Sequence, residues 1–427
     1  MSQSGKDFSG RDPVCRNDRT ATVNAIERAT PIDEHELARK LVALNRAGRS
    51  VRIAGGDTLR GMGARPQIDF EIDTTAIDGV VDFEPEDLTV GVLGGTRLER
   101  LSKTLAERGQ MLPFDAPLPG EATVGGTLAA GWRGPRRHLY GPPRDWAIGS
   151  TVVLADGTVA RAGGMVVKNV AGYDLSRLYV GSFGTLSVLV RANLKTLPIP
   201  QRIRAFHAAL PEGARERALA QLHELAVVPS AAFWIDGFTS ADDGVAGDDG
   251  RLVVLLEGTA DSVDRGSLDL RSALGRGGVP SARVVDDGAS AGLQSIIDAY
   301  VATLGQRSIT YRIGSLPAGA MAAAQTAADV AHRFALRCER IVDLSNGDAV
   351  VRVSELDAQR LAASMHGFDA ALHEYIPQAV VVACEHPERD ALQVWGREPA
   401  AVAQMRALKR RFDPNNILNP GRFVGGI

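Results

Sequence analysis

Cysteine is nearly missing from this chain. Only Cys15, Cys338 and Cys384 occur, far apart and in no C-x-x-C pair. That argues against a disulfide framework and against a self-contained zinc or iron–sulfur site, and points to a reducing compartment. Neither sign of charge is in excess: 48 Lys and Arg face 51 Asp and Glu, for a formal net charge of −3. No basic field is therefore available to hold a nucleic-acid backbone or an anionic membrane, and a small or locally charged ligand is the better expectation. No apolar run approaches the roughly 20 residues that a bilayer-spanning helix needs, and residues 1–22 contain no apolar signal core. These absences predict a soluble cytoplasmic protein that touches a membrane only through a partner.

What the chain has instead is length and glycine. At 427 residues it suggests two globular units, each with its own core. Glycine supplies 46 residues, above the roughly 7% of average usage, and is crowded between residues 120 and 184. There Val152, Val153, Leu154, Leu186, Val188, Leu189 and Val190 supply strand-like runs, so the stretch should fold, with glycines that let backbone approach something closely.

Residues 1–24 are polar and of mixed charge, which predicts a mobile tail. Asp33 with Glu36 reads as a capping box for a helix carrying Leu37, Leu41, Val42 and Leu44, with Gly48 as its stop. Strands are expected at 51–54 and 88–93, then a helix capped by Thr96 with Glu99 and ended by Gly109. Residues 148–161 read as a hairpin turning at Asp156-Gly157, and 184–195 as a long strand. Beyond Gln201 the texture changes to Ala-rich helical segments, 212–226 and 318–336, alternating with strands such as 252–257 and 379–384. Residues 242–251 read as an exposed acidic loop. The turn-rich end, 412–422, holds Ile417 and Leu418 to pin it back onto the first unit. The expected class is α+β, divided as a tail at 1–24, a first domain at 25–200, a cap domain at 201–385 and a returning segment at 386–427.

Three glycine constellations carry the chemistry. Gly55-Gly56-Asp57-Thr58-Leu59 follows a strand directly. It is not a P-loop, since no Gly-Lys-Ser/Thr follows, nor a dinucleotide fingerprint, since no periodic helix continues from it. A phosphate-binding nest of backbone N–H groups and a plain tight turn both fit. Thr123-Val124-Gly125-Gly126-Thr127 precedes a small-residue helical turn, Ala129-Ala130-Gly131, where N–H groups and hydroxyls can meet an anion and a flat ring can come close. Two such loops suggest a ligand with two phosphates. The third runs from Lys168 through Gly172-Tyr173-Asp174 to Gly181-Ser182-Phe183-Gly184-Thr185-Leu186. It could read the edge of a heterocycle, or be a structural turn with Tyr173 as a core aromatic.

The order of these three, with Tyr140-Gly141, Arg144-Asp145, residues 152–157 and the terminal Asp413-Pro414-Asn415 and Asn419-Pro420-Gly421-Arg422, resembles the FAD-binding domain of the vanillyl-alcohol oxidase superfamily, with its PCMH-type fold. Within it the chain is similar to the FAD-binding E-type subunits of bacterial glycolate oxidase. The resemblance implies a PCMH-type two-subdomain FAD-binding domain, then an α+β cap domain, with the C-terminal segment packing back on the FAD domain. It implies that Gly55, Gly56, Asp57, Thr58 and Leu59, with Thr123, Gly125, Gly126 and Thr127, wrap the FAD pyrophosphate. Gly131, Gly141 and Asp145, with Gly172, Tyr173, Gly184, Thr185 and Leu186, would lie along the adenosine and the isoalloxazine. Covalently flavinylated relatives carry His where this chain has Asp57, so the FAD should be non-covalent. The implied partners are a second FAD-binding, D-type subunit and an iron–sulfur, F-type subunit, the three together oxidising glycolate to glyoxylate.

Oxidising a 2-hydroxy acid needs a cation for the carboxylate and a group for the hydroxyl proton. Relatives that do this carry a His-rich Gly-Asp-Gly-Asn motif late in the chain; here the nearest fragment, Ser345-Asn346-Gly347-Asp348-Ala349, lacks flanking histidines, and no metal site is expected. His366 and His373, seven apart, fit surface or core positions better than ligands. His138 sits with Arg136 and Arg137 in a loop, where a phosphate or partner contact competes with simple solvation. Arg312 is the best candidate for a carboxylate clamp, with an outward strand position as the alternative. Trp395 could approach the ring or belong to the core. Three functions stay open: a subunit of a heteromeric glycolate oxidoreductase, a free-standing FAD-dependent 2-hydroxy-acid dehydrogenase of the D-lactate type, or a flavin-retaining scaffold.

Overall fold

A computed structural model of the chain describes residues 26–165, 174–210, 212–238, 250–279, 281–286 and 288–427. From Leu252 to Leu256 every side chain is apolar, so the strand Arg251–Gly258 has no polar face to turn to water and is covered on both sides. Leu252, Val254 and Leu256 enter one core, while Val253 and Leu255 enter another on the opposite face. Its neighbour Ala231–Asp236 divides the same way, Ala232 and Trp234 to the first core and Phe233 and Ile235 to the second. These strands lie inside an eight-stranded antiparallel sheet ordered Arg283–Val285, Arg202–Ala209, Arg251–Gly258, Ala231–Asp236, Arg337–Asp343, Asp348–Ser354, Ser308–Gly314 and Val380–Cys384.

The first face of this sheet is packed by the helices Ala260–Arg276, Ala320–Arg333 and Ala358–Tyr375, through residues such as Leu270, Ala327 and Phe368. The second face meets helix Ala289–Ala299 and, from the N-terminal half of the chain, Leu59, Met62, Trp132 and Phe183. That shared core is what brings the glycine loops against the large sheet.

The N-terminal half holds a five-stranded antiparallel sheet ordered Val80–Glu84, Thr89–Leu93, Val188–Lys195, Ala147–Val153 and Val159–Gly163. Beside it lie three parallel strands with Phe70–Asp73 between Glu27–Ala29 and Val51–Ala54. Helix Glu34–Arg46 buries Leu37, Leu41 and Leu44, one stripe at 3.6-residue spacing, each contributing about 1.5–3 kcal/mol. Asp33 caps it by accepting from the Glu36 N–H at 2.7 Å, and the Glu36 carboxylate reaches back to the Ile32 N–H. The end of the chain returns to this region, where Val51 N–H donates to the Ile417 carbonyl at 2.7 Å and Asn419 N–H to the Val51 carbonyl at 2.8 Å.

Two local expectations change. Helix Leu98–Ala106 is preceded by Arg97 without a side-chain cap. The Thr96 hydroxyl is occupied instead by the Gly79 N–H at 2.9 Å, tying the helix entry to the neighbouring strand. The strand expected from residue 184 begins at Val188, because Phe183 (φ 56°) and Gly184 (φ 66°) turn the chain through the left-handed region and no strand continues through that. Residues 242–249 of the acidic stretch lie outside the described residues, and Arg251 already belongs to a strand.

Candidate functional site

Strand Val51–Ala54 ends at an open cavity. Its wall brings together Gly55, Gly56, Asp57, Thr58 and Leu59 with Thr123, Gly125, Gly126 and Thr127, and closes on Gly184. Asp57 takes φ 58°, so the loop curls. Not one of the backbone N–H groups from Gly55 to Leu59 donates to another described residue. Successive open donors around a curl form a nest for an anion. The second loop behaves differently from the sequence expectation. Helix Val124–Ala130 has its first N–H groups already occupied: Val124 on Thr96 O, Gly125 on Gly94 O, Gly126 on the Thr123 hydroxyl and Thr127 on Thr123 O. It therefore offers a smooth wall of Gly125, Gly126, Ala129 and Ala130 in place of donors.

The two loops fit against each other through glycine. A Cβ on Gly56 would overlap the Glu121 carbonyl oxygen, and backbone cannot yield as a flexible side chain can. Gly56→Ala is expected to cost about 1–3 kcal/mol in stability and to widen the gap between the loops. Chemical denaturation with and without added cofactor checks this, and an unchanged midpoint in both would contradict it.

Charge around the cavity is uneven. The Asp57 carboxylate is held by Arg52 at 2.7 Å, and Arg52 also bonds Glu71 at 2.8 Å. Burial opposes the Arg52 charge, but Asp57 and Glu71 outweigh it and keep the guanidinium firmly protonated. Arg422, which also lines the cavity, has a buried Nε without any partner. Burial and the neighbouring Arg52 press its pKa down to about 10 against the pull of Asp57. Open N–H groups and an uncompensated cation are the donor set that a diphosphate requires.

Several sequence candidates lie elsewhere. Gly131 ends helix Val124–Ala130 at φ 60° against Gly181, and Gly141 adopts φ 82° before the turn containing Asp145. Asp145 is half-buried between Arg144 and Arg177. The buried Thr185 hydroxyl donates to Ser182 O at 2.7 Å, and Leu186 is core. Gly172 and Tyr173 lie outside the described residues. Conversely, Ile53, Phe183, Ser187, Asn419 and Arg422 line the cavity although the sequence assigned none of them to the cofactor. Asn419 joins its two sides, accepting from the Ile53 N–H at 3.0 Å and donating to Phe183 O at 2.7 Å. The signal that could have found it was the Asn419-Pro420-Gly421-Arg422 run.

Arg312 lies on a strand as expected, but it is neither an outward residue nor a free clamp. It is buried, and its Nε donates to Asp348 at 3.0 Å while its Nη2 bonds the same oxygen. Arg137 pairs with Asp348 too, at 3.0 Å. Asn346 donates to Pro135 O at 2.7 Å. The loop carrying Arg136 and Arg137 and the Asn346-Gly347-Asp348 turn thus meet around Arg312. The Arg312 guanidinium also stands 5.8 Å from the centroid of Trp132, a ring in the same core as Phe183 and Leu59 of the cavity wall. Three guanidiniums, Arg312, Arg137 and the nearby Arg133, face two carboxylates, Asp348 and Asp343, which leaves an excess of positive charge beside that core. Asp343, raised by burial to about 6 against the pull of Asn346 and Arg137, accepts from Ser345 N–H and Asn346 N–H.

The remaining candidates are structural. His366 is an exposed partner of Glu388 at 3.1 Å. Trp395 packs edge-on against Phe183 at 5.1 Å and donates to Arg422 O. His138 is exposed in a short helical turn, Arg137–Tyr140. No group of three His, Cys, Asp or Glu suited to a metal occurs among the described residues, and no helix among them is long and apolar enough to cross a membrane.

His373 is buried with acceptors at both ring nitrogens: Asp369 O at 2.8 Å from Nδ1 and Ala379 O at 3.0 Å from Nε2. Only the imidazolium donates from both. Burial opposes the charge, but the Asp369 carboxylate and these carbonyls outweigh it and raise the pKa. A raised folded-state pKa gives stability that is complete below the unfolded value near 6.5 and is lost as pH rises through the folded value. The unfolding free energy should therefore fall with pH above that point. His373→Gln should flatten this slope, and an unaltered slope in the variant would remove the assignment.

Comparison with known proteins adds to this geometry. Residues 28–163 match the family described as FAD binding domain, and residues 394–423 match FAD linked oxidases, C-terminal domain. The chain is 38% identical over 175 residues to Glycolate oxidase subunit GlcE of Escherichia coli (strain K12), covering 41% of this chain and 49% of that protein. It is 26% identical over 372 residues to Glycolate oxidase subunit GlcD of Bacillus subtilis (strain 168), covering 81% and 77%. With D-2-hydroxyglutarate dehydrogenase of Xanthomonas citri pv. viticola it shares 30% over 194 residues, covering 45% and 41%. The chain thus spans about half of the first of these relatives and less than half of the third. Among solved structures it superposes on p-cresol methylhydroxylase with substrate bound at a TM-score of 0.69 and 19% identity, covering 92% of this chain and 88% of that one. Alkyldihydroxyacetonephosphate synthase gives 0.68 and 15%, covering 92% and 75%. At such identities these structures speak for the fold.

Proposed function

We propose that this chain, which has the PCMH-type FAD-binding fold and takes FAD as its cofactor, is the FAD-binding subunit of a heteromeric glycolate oxidoreductase. It would work with a second FAD-binding subunit and an iron–sulfur subunit, oxidising glycolate to glyoxylate as part of the complex. The observation that carries this reading is the row of open N–H groups from Gly55 to Leu59 on one cavity with Gly125, Gly126 and Gly184, in a chain similar to a glycolate oxidase subunit. In this reading residues 25–200 form the cofactor domain, 201–385 the cap and 386–427 the returning segment.

Bound FAD supplies a two-electron acceptor for the hydrogen on the carbinol carbon of a 2-hydroxy acid. The protein's part is placement. The Gly55 to Leu59 amides hold the diphosphate, and the wall at Gly125, Gly126 and Ala130 lets a flat ring lie close. Trp132 and Phe183 keep water from the adjoining core. Arg312 and Arg137, sharing Asp348, leave positive charge for the carboxylate of the acid. The Ser345-Asn346-Gly347-Asp348-Ala349 fragment, without flanking histidines, fits a subunit that depends on its partners for chemistry.

The alternative is a free-standing 2-hydroxy-acid dehydrogenase, favoured by likeness to D-2-hydroxyglutarate dehydrogenase and to the D-lactate dehydrogenase of Anaerostipes hadrus. Expressing the chain alone and with both partner subunits, then following flavin bleaching and dye reduction on addition of glycolate or D-lactate, separates them. The proposal expects turnover of glycolate only in the complex. Turnover of D-lactate by the lone chain supports the alternative, and a flavin in the complex that never bleaches would indicate a scaffold.

A further inference from the structure

We propose that Arg422 is the counter-cation of the FAD diphosphate, so that the C-terminal segment completes the cofactor site. The inference rests on the FAD reading above and adds to it a residue from the far end of the chain. Arg422 lines the same cavity as the Gly55 to Leu59 nest. Its Nη2 reaches Leu59 O at a long 3.3 Å, and its Nε is shut away from water with no acceptor. A guanidinium on the wall of a cavity whose terminal nitrogen makes only one long bond has donors to spare for an anion there.

Of the other cations nearby, Arg60 lines the same cavity but is exposed to water, while Arg52 and Arg389 are already engaged. Arg52 is held by Asp57 and Glu71, and Arg389 donates to the carbonyls of Gly61 and Gly63. Arg422 is also rigidly placed. Its N–H donates to Asn419 O at 3.1 Å, and its carbonyl accepts from Ala64 N–H at 3.2 Å and Trp395 Nε1 at 3.0 Å. A guanidinium on a fixed turn, facing a nest of amides, matches the planar, paired acceptors of a phosphate.

The test is a titration of flavin-free protein with FAD, followed by quenching of flavin fluorescence, for the wild type, Arg422→Gln and Arg422→Lys. Melting temperatures of the unliganded forms are recorded beside it. The expected result is a Kd raised roughly 10- to 100-fold by Arg422→Gln, the range for losing a hydrogen-bonded charge, with Arg422→Lys recovering part of the loss. An unchanged Kd in Arg422→Gln overturns the assignment. So does a loss that Arg422→Lys fails to recover, since that marks a structural role. A wild type that takes up no FAD refutes the cofactor reading itself, a failure visible without any variant.

Discussion

Replacing Lys409 with Met should destabilise the protein by about 3–5 kcal/mol, the range for removing one partner of a buried ion pair. The Lys409 ammonium is almost wholly buried and meets Asp413 at 2.6 Å, Thr185 O at 2.8 Å and Leu418 O at 2.9 Å. Burial lowers its pKa, and Asp413 works against that. Without it the Asp413 carboxylate, fully buried and also accepting from the Ile417 and Leu418 N–H groups, would be an uncompensated charge. The consequence reaches the cofactor site, because the same ammonium clasps Thr185, next to Gly184 of the cavity wall. Unfolding by denaturant gives the energy, and limited proteolysis should show the C-terminal segment cut first. Loss of less than about 1 kcal/mol, the worth of a surface pair, would contradict the account.

Arg136→Met should cost a comparable amount, about 3–5 kcal/mol, for a different reason. Arg136 stands between two buried carboxylates from separate parts of the chain, Asp115 at 2.7 Å and Glu257 at 3.4 Å. Burial opposes its charge, and these two acids more than restore it. Glu257 lies on the central strand Arg251–Gly258 of the large sheet, so the guanidinium joins that sheet to the loop after the Thr123 helix. With Arg136 gone, both acids must be protonated or find water. Adding Asp115→Asn and Glu257→Gln to Arg136→Met should therefore recover more than half of the loss. If the triple variant is no more stable than Arg136→Met alone, the damage comes from packing and not from charge.

The elements that sequence made legible are those whose pattern is local. Asp33 and Glu36 mark a helix start by their own spacing, Asp156-Gly157 marks a hairpin, and the apolar run at Leu252 to Leu256 marks a strand with two buried faces. The glycine loops were readable for the same reason, since backbone that must curl or approach closely restricts the residue type on the spot. The run Asn419 to Arg422 was visible as a motif, but the roles of Arg422 and Asn419 were not, because their partners, Leu59, Ile53 and Phe183, lie hundreds of positions away. Only folding brings them together. Arg312 misled for a related reason: its strand was evident, but Asp348, which occupies its guanidinium, arrives from a neighbouring strand. Thr96 looked like a helix cap because the rule is local, and the Gly79 backbone that claims its hydroxyl is not.

Three separated bends and the chain's end are proposed to surround one FAD. Purifying the protein, recording its visible absorbance, and titrating flavin-depleted material with FAD tests this directly. The expected result is a flavin spectrum and saturable uptake of a single FAD per chain, released intact on denaturation because Asp57 offers no covalent attachment point. Well-folded protein that is colourless and takes up no FAD on addition would contradict it.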